Sequence, residues 1–102
     1  MLNDSILSKL EELSQRLAEV EQLIADPGVL KDPARYKKLM QEHSHLSEVT
    51  TAYRAYQDMV NQLHEARKVV EEADDPEMRE MAQQEVEELE AKIESAGQRL
   101  RL

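Results

Sequence analysis

Between residues 6 and 24 the large apolar side chains fall at Ile6, Leu10, Leu13, Leu17, Val20 and Ile24, at spacings of 4, 3, 4, 3 and 4. Alternating steps of three and four keep one face of an α-helix apolar, whereas a strand needs a period of two. Leu7 and Leu23 widen the stripe. The same pattern returns twice. It runs Tyr36, Leu39, His43, Leu46, Val49, Tyr53, Tyr56, Val60, Leu63, Arg67, Val70, and then Met78, Ala82, Val86, Leu89, Ile93, Ala96, Leu100. The middle stripe slips by one residue between Leu46 and Val49, among Ser44, Ser47, Thr50 and Thr51, which leaves room for a bend.

The ends of these segments are marked by local chemistry. Asn3 or Asp4 caps the first helix. Asp26-Pro27-Gly28 is expected to stop it, because proline drives residue 26 out of the α region and glycine permits a turn. Asp32-Pro33 and Asp75-Pro76 are start signals: Asp caps, and proline occupies a first helical position where its missing N–H costs nothing. Glu77 adds favourable charge to the last helix's first turn, and Gly97 weakens its end. Three helices are predicted, over about residues 3–25, 33–72 and 76–100. Short connections make neighbours antiparallel. The expected fold is all-α: an elongated antiparallel three-helix bundle, a coiled-coil-like rod with a long central helix, forming a single domain over residues 1–102. Met1 reads as a natural start, and Leu102, reached with RLRL still helical in character, as a cut inside a longer protein.

Composition agrees with long helices and narrows the chemistry. There is no Trp, Phe or Cys, and 34% of residues are charged. Disulfides and thiolate zinc sites are excluded, and a reducing compartment fits. Neither a signal peptide nor an apolar span is present, so a cytoplasmic protein with no membrane partner is expected. The net charge of −9 argues against general nucleic-acid binding. The charge is nevertheless segregated: −4 over residues 1–30, +2 over 31–70, −4 over 71–75 and −3 over 76–102. One tip of the expected rod thus carries Lys31, Arg35, Lys37 and Lys38, and the other Glu71, Glu72, Asp74, Asp75 and Glu77.

No catalytic, cofactor or metal site emerges. His43 and His45 are two apart and point to different helix faces, while helical metal pairs need a spacing of three or four. The carboxylates of EVEELEAKIE read as a solvated face, since a heptad rod supplies no concave wall. EEADDPE lacks the glycine of a calcium loop. Met78 and Met81 suit a plastic binding groove, but such residues more often fill gaps in a core, and they are assigned to the core stripe. The quartet Lys31, Arg35, Lys37 and Lys38 is the candidate phosphate contact, with no interleaved aromatics of the kind that stack on bases. Lys31, Arg35 and Lys38, four and three apart, are expected on one side.

The string DDPEMREMAQQEVEELE resembles the last helix of the N-terminal, or PCRF, domain of the bacterial peptide chain release factor 1 family. SILSKLEELSQRLAEVEQLIADPGVL is similar to that family's first helix and turn, and DPARYKKLMQEHSHLSEVTTAY to its middle helix. The resemblance covers essentially all 102 residues in order. The sister factors that read UGA usually lack the DPEMREMA string. The resemblance implies a docking and positioning domain of a factor that ends translation at UAA and UAG. Its partner would be the ribosome, at the stalk base and GTPase-associated region of the large subunit, through ribosomal RNA and protein. It implies no small-molecule ligand. Release factors trigger peptidyl-tRNA hydrolysis through a Gly-Gly-Gln loop and read the codon through a Pro-x-Thr-type tripeptide. This chain has neither, so no enzymatic role is carried over. The alternative is a free-standing helical adaptor with no translation role. Exposed heptad stripes would also allow the isolated chain to self-associate.

Overall fold

A computed structural model of the chain describes residues 1–101. It is all-α: α1 is Asp4–Ile24, α2 Pro27–Leu30, α3 Pro33–Glu72 and α4 Pro76–Leu100. The 40 residues of α3 run unbroken for about 60 Å. The chain divides into two compact units, Leu2–Tyr53 and the residues from Arg54 onward, the latter joined by Met1.

The predicted caps explain the helix starts. The Asn3 side chain accepts from the Ile6 N–H at 2.9 Å and opens α1. Asp32 Oδ1 accepts from the Arg35 N–H at 3.2 Å at the head of α3, and Asp75 Oδ1 from the Glu77 N–H at 3.0 Å at the head of α4. Each satisfies a donor that has no partner within its own helix.

The Asp26-Pro27-Gly28 segment differs from expectation. α1 stops at Ile24, with Ala25 as its cap, and Asp26-Pro27 then starts a helix rather than a turn. Asp26 Oδ1 accepts from the Gly28 N–H at 2.7 Å, and Pro27 lies in the first turn of α2. The motif is the same Asp-Pro start found at 32–33 and 75–76, here launching a single turn. Gly28 does not adopt a positive φ, so left-handed freedom is not its role. A Cβ there would come within 3.1 Å of Asp26 Oδ1, so glycine gives the capping carboxylate room. The short helix inserts Val29 into the core, only 2% exposed.

In the first unit, α1 and the first half of α3 form an antiparallel hairpin with α2 at its connection. Val20, Val29, Leu39 and Leu46 form its buried centre, with Leu13, Leu17, Leu23 and Ile24 packed against them. Each fully buried Val or Leu contributes about 1.5–3 kcal/mol of transfer free energy. Arg16 links the two helices: Nε and Nη2 donate to the two carboxylate oxygens of Glu42 at 2.7 and 2.9 Å, and Nη1 to Glu19 at 2.8 Å. His43 Nε2 lies 3.5 Å from Glu21 Oε1 along the same seam.

In the second unit, the rest of α3 and α4 form a second hairpin. Tyr56, Leu63 and Ala66 of α3 are buried, as are Ala82, Val86, Leu89, Ile93 and Leu100 of α4. The heptad spacing of the α4 set is what one packed face requires. Arg67 Nη2 approaches Glu90 Oε1 at 3.4 Å across the hairpin. Two stripe positions turn out differently. Met78 is 54% exposed, and Ala66, outside the expected stripe, is buried in place of exposed Arg67.

Candidate functional site

The exposed face at the start of α3 holds the candidate contact. Lys31 caps the end of α2 with αR backbone geometry, and Arg35, Lys37 and Lys38 follow in the first two turns of α3. All four are exposed. Arg35 and Lys38 share a helix face by their spacing of three, while Lys37 is displaced from both. The relation expected between Lys31 and Arg35 does not follow from helical periodicity, because Lys31 belongs to α2 and Asp32 separates the two helices.

The electrostatic setting of these cations is set by what nearby carboxylates do. Asp26 and Asp32 are committed to backbone N–H groups. Glu42 is held by the Arg16 fork, whose hydrogen bonds lower its carboxyl below the usual range against the opposing effect of desolvation. The same bonds raise the Arg16 guanidinium above its ordinary value. Among the described residues, no ion pair within 4.0 Å includes Lys31, Arg35, Lys37 or Lys38. Leu30, Tyr36 and Met40 lie exposed in the same stretch, so the face mixes cations with apolar side chains.

The acidic segment between α3 and α4 is built differently. Glu71, Glu72, Asp74, Asp75 and Glu77 are all exposed. Arg79 folds back over the connection, with Nε and Nη2 donating to the Ala73 carbonyl at 3.2 and 3.0 Å. A C-terminal carbonyl of α3 that lacks a helical partner is thereby satisfied. Nearby, Val69, Met78 and Met81 line an open groove with carboxylates around it. The sequence pattern had assigned both methionines to the core, whereas Met81 is 71% exposed.

His43 is half-buried beside Glu21, and His45 and His64 are exposed on α3. Among the described residues, no group of three or more His, Asp or Glu side chains is arranged to hold a metal ion. No described helix is long and apolar enough to cross a membrane. The Arg16–Glu42 fork and the Arg79 clasp were not anticipated. The first joins residues 26 apart and has no local signature. The second could have been suspected from an arginine three residues after Asp75-Pro76, one turn from the free carbonyls of α3.

Comparison with known proteins identifies the lineage. The chain is 39% identical over 97 residues to peptide chain release factor 1 of Geobacillus sp. (strain WCH70), and 37% identical over 97 residues to that of Syntrophomonas wolfei subsp. wolfei. Both alignments cover 95% of this chain and 27% of the relative, so the chain spans about a quarter of the length of these curated proteins. No solved structure gives a significant match. The family model described as the PCRF domain matches residues 13–102, nearly the whole of the helical chain, and the chain belongs to that family.

Proposed function

We propose that this chain is the N-terminal docking and positioning domain of a peptide chain release factor that ends translation at UAA and UAG codons. The observation that carries the reading is the PCRF match over residues 13–102, together with relatives that are themselves named peptide chain release factor 1. The domain works as one body in the cytoplasm, contacting the stalk-base and GTPase-associated region of the large ribosomal subunit through ribosomal RNA and protein. Chemistry at the peptidyl ester belongs to another part of the factor, since this sequence has no adjacent glycines and hence no Gly-Gly-Gln loop.

Within this reading, Lys31, Arg35, Lys37 and Lys38 approach ribosomal phosphate. Their exposure and freedom from ion pairs support it, because cations with no protein carboxylate to release are available to a polyanion. A chain of net charge −9 also needs a basic face toward RNA. If all four neutralise phosphates, affinity falls with salt at a log–log slope of up to about 3.6, taking the duplex-DNA coefficient as a guide.

The test replaces the four with Ala in the full-length factor and measures ribosome affinity across a salt series. Weaker binding and a shallower slope are expected. Unchanged affinity and slope would remove the basic face from the interface. Loss of binding instead on neutralising Glu71, Glu72, Asp74 and Asp75 would assign docking to the acidic segment. The family role is tested separately by reading the coding frame past Leu102 for Gly-Gly-Gln.

A further inference from the structure

Val69, Met78 and Met81 are the large apolar side chains left exposed among the described residues after Arg54, at 37%, 54% and 71%. Single exposed apolar residues are ordinary, but these three line one groove between the end of α3 and the start of α4. Asp75, Glu77, Glu85 and Glu88 also line it, and no basic side chain does. None of the four carboxylates enters an ion pair within 4.0 Å among the described residues. The groove therefore has an apolar floor, two flexible thioether side chains and an uncompensated negative rim.

We propose that this groove is a docking site for a basic amphipathic helix of a partner protein. The argument is one of complementarity. Two antiparallel helices leave a furrow that a third helix fills by placing apolar residues at spacings of three and four along it. Methionines adapt their shape to such a ridge because they are unbranched and polarizable. Covering the apolar floor brings the four carboxylates close to the occupant, which disfavours acidic or neutral partners and favours lysine and arginine flanking an apolar stripe. A nucleic acid is excluded by the same rim, since phosphate would meet four like charges. The assignment does not depend on whether Lys31 to Lys38 contact phosphate.

The probe is a leucine–lysine peptide of about sixteen residues, roughly four helical turns, with leucines at alternating spacings of three and four. A leucine–glutamate peptide of the same pattern is the control. The chain is labelled at its methionine methyl groups, which report separately on Met1, Met40, Met59, Met78 and Met81. The leucine–lysine peptide should bind and shift the Met78 and Met81 signals, leaving Met40 unmoved, and the leucine–glutamate peptide should not bind. Met78→Ser with Met81→Ser should weaken binding about tenfold or more, while Glu11→Gln with Glu12→Gln, remote in sequence on α1, should leave it unchanged. Both methionines are exposed, so helix content by circular dichroism should be retained in the double variant. The proposal is overturned if no binding occurs, if the Met78 and Met81 signals stay fixed, or if the Glu11 and Glu12 changes weaken binding as much as the methionine changes. It is equally overturned if those signals shift with protein concentration alone, which would make a second copy of this chain the occupant.

Discussion

Replacing Val20 by Ala probes the packing of the first unit at its most enclosed point. Val20 has no exposed surface and sits with Val29, Leu39 and Leu46, so two methyl groups leave a site that is closed by three helices. Their transfer free energy is about 0.8 kcal/mol each, or roughly 1.6 kcal/mol together. The vacated volume adds about 24 cal/mol per Å³ to whatever extent the surroundings fail to collapse. A total of about 2–3 kcal/mol is expected. With urea m-values of about 1–3 kcal/mol/M, the unfolding midpoint should fall by about 1–2 M at unchanged slope. Asp75→Ala is the comparator. It removes one capping acceptor at an exposed helix start and should cost about 1 kcal/mol. Urea titrations of both variants, followed by far-ultraviolet circular dichroism, check the ranking. A midpoint for Val20→Ala at or above that of Asp75→Ala would refute the packing assigned to α1, α2 and α3. Leu17, which the heptad pattern ranks equal to Val20, is only half-buried and should lose less per carbon removed.

Three further outcomes follow from specific contacts. Because Arg16 lowers the folded-state pKa of Glu42 below the unfolded value of about 4.3, the stabilisation is present above that pH and lost as pH falls through the folded value. The midpoint difference between the wild-type chain and Glu42→Gln should therefore shrink on acidification, and a difference independent of pH would count against the fork. Arg79→Ala should speed hydrogen exchange at the amides flanking Ala73, measured by mass spectrometry, while leaving Val86 and Leu89 protected; uniform loss of protection would mean that Arg79 supports the whole unit rather than the connection. The purified chain should release no peptide from stop-programmed ribosomes beyond buffer, and any stop-dependent hydrolysis would contradict its assignment as a docking domain.

The helices and their starts were legible because they depend on local chemistry. Heptad spacing identifies an apolar face whatever that face meets, and a capping Asn or Asp needs only N–H groups two or three residues away. The PCRF lineage was legible for a similar reason: its strings lie within single helices and can be recognised without coordinates. Tertiary structure decided matters that join distant residues. Asp26-Pro27 carries the same letters as two helix starts, yet it follows an apolar stripe and was read as a stop. Burial of Val29 among Val20, Leu39 and Leu46 is what makes a single helical turn worthwhile there. The Arg16–Glu42 fork leaves Glu42 unavailable to the basic face, a consequence no spacing of 26 residues discloses. Met78 continues the heptad of α4, but its partner helix ends nearby, at Glu72. Periodicity states which side chains share a face. Only the packed neighbour decides where that face is covered and where, at Met78 and Met81, it stays open.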